Sequence, residues 1–452
     1  MLSPVEVAVA DKLFQVQQQK WSDDERFSQY YDGRHRLATL GLSLPPALDT
    51  LEVVVNWPRV AVEAIVERSD VKTIRRGGEI AADEVLLEQF DANNLDAQMV
   101  MFNRDKLIYG RAFLSVGSNE SDPEHPLMMV ESPREMSVLV DRRSRSLTAA
   151  LRVVRGDSSV VDSVFAATLY LPEVTIWLEK KQGKWFEIDR DEHGLGRVPI
   201  VMALNRQVTG SWTGRSEMLD VIPIADAAVR TLTNMQYAVE AAAVPRKYVV
   251  GASQGDFVDA SGKALPTWEA YLGSVWALVN KDAKVGQLAG ADLSGFHKTL
   301  ELYGKMASSV TGYPGSYFGL HTGNPAGEGQ IKGEEARLVK TVERSNTETG
   351  KALAWALDLS ERFRTGEWVA GNRTVVEHHN PGTPTFAQKA DALQKLAGGR
   401  PLISREGVWD ELGWSEARKE RERANFADEA SDPLMSEMLE KWNGVDAARV
   451  AG

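Results

Sequence analysis

Eighteen consecutive residues in the last third of the chain read Gly312-Tyr313-Pro314-Gly315-Ser316-Tyr317-Phe318-Gly319-Leu320-His321-Thr322-Gly323-Asn324-Pro325-Ala326-Gly327-Glu328-Gly329. The stretch holds six glycines and two prolines, and this density predicts a loop, because both residues interrupt helices and strands. A loop this long inside a compact chain is typical of a functional or mobile segment. Its aromatic side chains either serve that function or anchor the loop.

Long helices are predicted on both sides of this loop. Residues 292–311 place apolar side chains at the three- and four-residue spacings of one helix face, namely Leu293, Phe296, Leu300, Tyr303 and Val310. Residues 334–363 favour a single helix with Gly350 near its middle. Because glycine weakens a helix interior by about 1 kcal/mol, Gly350 is a candidate kink.

A matching helix is predicted over residues 216–243, where Pro245 marks its end. Between the two matching helices, residues 246–290 favour a compact insert with strands near 247–251 and 274–278. The pattern is that of a helical hairpin with a small domain at its tip.

The first 215 residues favour an α+β domain. Helices are predicted over 5–31, after Pro58 and over 82–110, and then the apolar period changes from 3.6 to 2. Short antiparallel strands are predicted at 112–116, 136–140, 149–154, 166–171, 174–178 and 185–188. A lone strand at 373–379 is expected to return to this sheet.

The C-terminal part favours helices at 386–396, 405–412 and 415–430, with a further short helix after Pro433. Charges alternate in sign along residues 416–423, which is typical of a solvated helical face.

Composition excludes several protein classes. The chain has no cysteine, so disulfides, thiol nucleophiles and cysteine-ligated metals are excluded, and a reducing cytoplasm is a suitable place of assembly. No apolar stretch reaches the roughly 18 residues of a membrane span, and the N-terminus lacks the features of a signal peptide.

The charge balance bears on how tightly the protein could bind nucleic acid. There are 52 basic and 64 acidic residues, a net charge of −12, which argues against tight DNA binding but not against DNA sliding past. The densest basic run is Asp141-Arg142-Arg143-Ser144-Arg145. Its position between two strands predicts a hairpin tip, and contact with a neighbouring subunit or with DNA is the alternative.

No catalytic or metal-binding motif stands out, and neither a cofactor nor an enzyme is predicted. The nearest phosphate-loop pattern, Gly255 to Gly262-Lys263-Ala264, has too long a gap and lacks the metal-binding hydroxyl. His378 and His379 are adjacent and would point to opposite faces of a strand.

The order of these elements resembles the portal protein, or head-to-tail connector, of tailed double-stranded DNA bacteriophages of the siphophage type. Short local signatures support the resemblance in order and spacing: Tyr30-Tyr31-Asp32-Gly33, Asn56-Trp57-Pro58-Arg59-Val60-Ala61-Val62, Leu107-Ile108-Tyr109-Gly110-Arg111-Ala112-Phe113, Gly214-Arg215-Ser216-Glu217-Met218-Leu219, Ile222-Pro223-Ile224-Ala225-Asp226-Ala227, and Leu402-Ile403-Ser404-Arg405-Glu406 with Glu411-Leu412-Gly413.

The resemblance implies a mainly helical, elongated α+β subunit. Residues 1–215, completed by a strand at 372–380, would form an α+β wing. Residues 216–243 and 292–311 would be the stem helices, and 244–291 a small α/β clip. A tunnel loop would follow at 312–332, a long kinked helix at 333–364, a return to the wing at 365–383, and a helical crown at 384–452.

The resemblance also implies site residues. Channel or tunnel-loop positions would be Tyr313, Pro314, Tyr317, Phe318, His321, Asn324 and Lys332. DNA-steering positions would be Lys305, Arg337 and Lys340. Clip-interface positions would be Arg246, Lys247, Tyr248, Lys263, Trp268 and Trp276, and the helix kink would lie at Gly350.

The implied function is a structural ring, expected to be a dodecamer, at one capsid vertex. It would form the channel for genome packaging and ejection. Its implied partners are double-stranded DNA, the terminase large subunit, the head-tail adaptor, the major capsid protein and any scaffold, with no membrane. The subunit would assemble in the host cytoplasm and remain in the virion. The alternatives are another capsid or tail protein, or a packaging-associated nuclease or nucleotide hydrolase.

Overall fold

The computed structural model describes residues 1–37, 53–155, 165–243, 247–251, 284–287, 293–320, 328–368, 373–382, 386–398 and 401–431. The chain divides into two compact units, Met1–Pro381 and Gly382–Gly452.

Local end signals define the first helices. Helix α1 (Pro4–Asp32) begins at a capping box made by Ser3 and Glu6, and ends at Gly33, whose φ of 68° lies in the left-handed region. Helix α2 (Trp57–Val66) has a proline in its first turn. The single helix predicted over 82–110 is wrong. The structure has α3 (Glu84–Ala92) and α4 (Leu95–Tyr109), separated where Asn94 takes a φ of 48°.

Two antiparallel sheets follow in the first unit. Strands β2 (Arg111–Gly117), β3 (Leu127–Glu131) and β9 (Ile200–Leu204) form one sheet in the order β3-β2-β9. Neither β3 nor β9 was among the strands predicted from the sequence. The other sheet is a five-stranded meander of β4 (Met136–Val140), β5 (Leu147–Arg155), β6 (Phe165–Tyr170), β7 (Thr175–Lys181) and β8 (Lys184–Asp191). Leu13 of α1 is buried against this meander.

The lone strand predicted near 373–379 is β12 (Thr374–His378). It pairs antiparallel with β1 (Val71–Arg76), which sequence analysis did not identify, in a separate two-stranded sheet rather than in the larger ones.

The helical hairpin is present. Helix α5 (Ile222–Ala243) packs against α6 (Ser294–Thr311), and between them strands β10 (Lys247–Val250) and β11 (Lys284–Gln287) pair antiparallel. Sequence analysis missed β11. The predicted strand at 274–278 lies outside the described residues. Residues 216–221, predicted to be helical, form turns before α5.

The long helix α7 (Glu328–Thr365) begins six residues earlier than predicted, so residues 328–332 are helix rather than loop. Its residues 352–359 pack against α3, α4, β2 and β9 in one core. Its Leu338 and Val342 join a second core with α2.

The second unit contains α8 (Phe386–Ala397), α9 (Arg405–Glu411) and α10 (Glu416–Ser431), close to the predicted helices. In this unit Trp409 stacks on Trp414 and Phe426. The short helix expected after Pro433 lies outside the described residues. Among the helices that are described, none has the length and apolar content needed to span a membrane.

Candidate functional site

The glycine-rich segment starts with a buried tyrosine. Helix α6 ends at Gly312, whose φ is 75°. Next to it, Tyr313 is only 2% exposed. Its hydroxyl donates to Ala61 O at 3.1 Å and to Glu217 Oε1 at 3.3 Å. Burial and the neighbouring Glu217 carboxylate raise the pKa of Tyr313 well above its usual value. Tyr313 therefore fixes the start of the segment to the subunit core.

Phe318 is the second anchor. Residues Gly315–Phe318 form one 3-10 turn, and the Phe318 ring, 4% exposed, meets the Trp57 ring edge-on at 6.0 Å. Leu320 then packs over Gly304 of α6, where a Cβ atom would lie 3.1 Å from Leu320 Cδ2. Residues 312–320 are thus a packed turn rather than an open loop.

Tyr317 belongs to a polar bridge between three parts of the fold. The Arg68 guanidinium donates to the Tyr317 hydroxyl at 3.0 Å and to Glu335 of α7 at 2.9 Å, and it also reaches Pro381 O at 3.2 Å. Sequence analysis did not single out Arg68. The turn is therefore connected both to α2 and to the first part of α7.

These positions decide between the two roles left open for the aromatic side chains. Tyr313 and Phe318 are anchors, and Pro314 is buried as well. Side chains with this burial face the subunit interior, whereas the channel-lining role of these three residues stays a prediction. Tyr317 is half-buried. His321 and Asn324 lie outside the described residues, and so does the side chain of Lys332.

The Tyr313 anchor is supported by the place where the segment containing Gly214 and Glu217 meets the end of α4. Glu217 is buried and accepts from Asn205 Nδ2 at 3.1 Å and from Arg206 Nη2 at 2.5 Å. Its segment meets the end of α4 so closely that a Cβ atom at Gly214 would lie 1.9 Å from Gly110 O. The two signatures containing Gly110 and Gly214 are therefore one structural unit, although sequence analysis assigned no role to Glu217.

A second buried polar centre joins α4 to α7. Lys106 is 1% exposed, and its Nζ lies within hydrogen-bond distance of Ser345 O at 3.0 Å, Ser345 Oγ at 2.9 Å and Thr349 Oγ1 at 2.5 Å. Thr349 donates in turn to Asn103 Oδ1 at 2.6 Å. Burial lowers the pKa of Lys106 to about 7, because a charge is costly away from water. Sequence analysis missed this residue.

Gly350 lies one residue further along α7, which continues without interruption through it. A Cβ atom there would be 3.2 Å from His378 Cε1 and 3.4 Å from Val376 O. The glycine thus lets β12 approach the helix, and this gives it a packing role apart from the predicted kink. Burial lowers the pKa of His378 to about 4.

The three candidate DNA-steering cations occupy different settings. Lys305 is exposed on α6. Arg337 is exposed too, but its Nη1 donates to Ser309 O at 3.4 Å and its guanidinium lies against Gly312. Lys340 pairs with Glu343 at 2.7 Å. Lys305 and Lys340 are open to solvent, whereas Arg337 also ties α7 to the end of α6.

The clip residues are only partly described. Tyr248 of β10 is exposed at 47%, and its ring lies over Gly286 of β11. Lys247 lies in β10, but its side chain is outside the described part of the chain. Arg246, Lys263, Trp268 and Trp276 lie outside it as well, together with the glycines of the phosphate-loop-like pattern. Within the described residues, no group of three or more His, Asp or Glu side chains could hold a metal ion.

Helix α6 carries an exposed apolar stripe. Leu302, Met306 and Val310 follow one another at four-residue spacing and are 54%, 45% and 43% exposed. Residues four apart lie on one helix face, so the stripe is continuous. We call these three residues the α6 stripe.

Removing the Tyr313 hydroxyl tests the anchor. We expect Tyr313→Phe to lower the free energy of unfolding by about 1–3 kcal/mol, because the buried hydrogen bond that the hydroxyl shares between Ala61 O and Glu217 Oε1 is lost. Denaturant titration followed by tryptophan fluorescence would measure this. Ser316→Ala, at an exposed position of the same turn, is the control. Equal stability of both variants would show that the hydroxyl does not anchor the segment.

Comparison with known proteins covers nearly the whole chain. The family described as "Phage portal protein, SPP1 Gp6-like" matches residues 11–440. The portal protein of Mycobacterium phage D29 is 33% identical over 414 residues, 89% of this chain and 84% of that protein. The portal protein of Mycobacterium phage L5 is 32% identical over 412 residues, with the same coverage.

Solved structures share the fold at low identity. A chain in the neck of an empty gene transfer agent particle, computed with C6 symmetry, has a TM-score of 0.53 at 13% identity, covering 87% of this chain and 94% of its own. A chain of the native gene transfer agent virion has a TM-score of 0.51 at 14% identity, with the same coverage. The family match, the two curated relatives and the shared fold agree, and the chain belongs to the SPP1 Gp6-like family of phage portal proteins.

Proposed function

We propose that this chain assembles into a closed ring, expected to be a dodecamer, that forms the channel for genome packaging and ejection. The observation that carries the proposal is the family match over residues 11–440. As a portal protein, the chain is a structural component of the virion at the portal vertex rather than an enzyme. Assembly in the host cytoplasm is part of the proposal.

The α6 stripe supports ring formation. Three large apolar side chains in one exposed row are costly in water, and burial against another surface recovers that free energy. A cyclic ring uses a heterologous contact, in which one face of each subunit meets a different face of the next. We assign the α6 stripe to one of these two faces.

Charged residues in the stripe are expected to prevent ring formation. Leu302→Glu with Met306→Glu would leave carboxylates in the subunit contact, so the protein should elute as monomers. Size-exclusion chromatography with light scattering, and negative-stain images, would measure this. The control is the exchange Leu302→Met with Met306→Leu, which keeps volume and apolar character and should still give rings. Rings in the glutamate variant would remove the stripe from the interface.

The order of the segments along the chain is the basis for assigning each of them to a part of the portal subunit. We assign 1–215 with β12 to the wing, α5 and α6 to the stem, and 244–291 to the clip. Residues 384–452 are assigned to the crown. The clip, with Tyr248 exposed on β10, is the proposed docking surface for the terminase large subunit and then for the head-tail adaptor. The wing and crown are proposed to face the capsid protein and any scaffold.

The channel is proposed to let double-stranded DNA pass without holding it. A subunit charge of −12, repeated around a ring, gives acidic walls. Each phosphate that a protein neutralises adds affinity, so basic walls would slow the moving duplex. Lys305 and Lys340, both solvent-exposed, remain candidates for steering DNA, together with Lys332.

The packed turn limits which residues can be deleted to test the tunnel loop. A deletion of 315–327 would also remove Phe318, a core side chain. Removing only 321–327, bridged by two glycines, keeps both anchors. We expect rings to form normally while genome packaging or retention falls at least tenfold in infected cells. The Ser316→Ala variant is the control, and normal packaging by the deletion variant would contradict a tunnel-loop role.

A further inference from the structure

The hairpin between β4 and β5 ends in a rigid, basic tip, defined here as residues 141–146. Asp141 N donates to Ser146 O at 3.0 Å, and Arg145 N donates to Asp141 O at 2.9 Å. The Asp141 carboxylate accepts from Ser144 N at 2.7 Å and from the Ser144 hydroxyl. The turn is therefore held by its own hydrogen bonds, so its side chains are displayed from a preformed backbone.

Three arginines are displayed by this tip. Arg142, Arg143 and Arg145 are all exposed, and within the described residues none of them forms an ion pair or a hydrogen bond through its guanidinium. Arg145 has a φ of 57°, a left-handed conformation that glycine or asparagine adopts more easily. The tip carries a local charge of +2 in a chain whose net charge is −12.

The tip also projects beyond its neighbours. The last pair of β4 with β5 is Val140–Leu147, whereas β6 and β7 already turn at Tyr170–Thr175, with Tyr170 opposite Ala150 of β5. The hairpin thus extends three residues of β5 past the adjacent turn, about 10 Å at strand rise. The guanidinium groups can therefore reach a large partner without interference from the rest of the sheet.

We propose that this arginine tip binds the phosphate backbone of double-stranded DNA outside the channel, a location that rests on the proposed assignment of residues 1–215 to the wing. Arginine presents a planar fork of donors that suits phosphate oxygens, and serine hydroxyls are common additional phosphate contacts. The tip has no apolar side chain. Protein–protein interfaces are instead centred on aromatic and apolar anchors, so nucleic acid fits this tip better than an acidic protein surface does.

This contact is separate from DNA passage through the ring, and a circular probe distinguishes the two. A covalently closed circular duplex cannot thread a closed ring, so it reports outer surfaces only. We expect the full-length protein to retain this probe in filter binding at about 50 mM salt. The triple variant R142Q/R143Q/R145Q should lose the retention. The slope of log affinity against log salt should fall by about 0.9 for each phosphate contact removed, up to about 2.7 for each tip.

The matched control is K12Q/K181Q/K184Q, which removes three exposed positive charges from α1 and the far end of the same sheet. It should bind the circle like the unmodified protein. Two results would overturn the proposal. One is that both triple variants lose retention of the circular DNA equally, or that neither variant loses it. The other is a wild-type protein that ignores the circle but captures immobilised poly-glutamate through the tip, which would assign the tip to an acidic protein surface.

Discussion

Gly214→Ala is expected to destabilise the first unit by more than about 4 kcal/mol, a loss in the range that marks a severe structural defect. An added Cβ atom would lie 1.9 Å from Gly110 O and 2.9 Å from Asn205 O. Both are backbone atoms, and the Gly110 carbonyl already accepts the Asn205 N–H. Neither can move without opening the junction between α4 and β9.

The effect should reach the glycine-rich turn. Gly214 lies three residues before Glu217, the carboxylate that accepts from the Tyr313 hydroxyl. Displacing residues 214–217 would take that acceptor away from the anchor. We therefore expect lower soluble yield, a lower thermal midpoint and loss of ring formation together.

Gly210→Ala separates steric clash from backbone strain. Gly210 has a φ of 84°, similar in kind to the 63° of Gly214, but a Cβ atom there meets nothing within 4 Å. This control should cost only about 1–2 kcal/mol, the penalty of a left-handed conformation for a residue with a side chain. Thermal unfolding of both variants measures the difference. If they agree within about 1 kcal/mol, the close contact at Gly214 is not required.

Local signals predicted most of the helices, because the residues that end a helix act within one turn. Pro58 in α2 and Gly33 after α1 are examples, and both helices begin within two residues of their predicted starts. The break between α3 and α4 was missed, because Asn94 takes its left-handed φ without a glycine or proline to mark it. The predicted strands did not include β1, β3, β9 and β11, which are short strands recognised mainly through their partners.

The site was harder to predict, because its contacts join distant segments. Tyr313 was singled out as a channel or anchor residue, but its burial depends on Ala61 and Glu217. Nothing in the residues next to Tyr313 indicates those contacts. Lys106 directly follows the polar and charged residues Asn103-Arg104-Asp105 and so resembles a surface lysine. Only the packing of α7, more than 200 residues later, removes it from water.

Lys106 gives the largest expected pH effect. Its pKa in the folded protein is lowered to about 7 by burial, from the model-peptide value of 10.5. Between these values the unfolded chain carries the proton and the folded chain does not. Unfolding then takes up a proton, so stability rises with pH over this window, by at most about 1.4 kcal/mol per pH unit. From pH 7.5 to 9.5 the gain is about 2.5 kcal/mol, because part of the folded protein still carries the proton at pH 7.5.

Lys106→Met should remove this gain while keeping the length of the buried side chain. The quantity to compare is the change in urea unfolding free energy between pH 7.5 and 9.5 in the two proteins. The difference is needed because burial also lowers the pKa of Lys20, to about 8, in both of them. Exposed Lys12→Met is the control and should keep the wild-type pH dependence. The Lys106 Nζ contacts Ser345 and Thr349 of α7. If the unfolding free energies of wild type and Lys106→Met changed equally between the two pH values, Lys106 would remain a charged ammonium at these contacts.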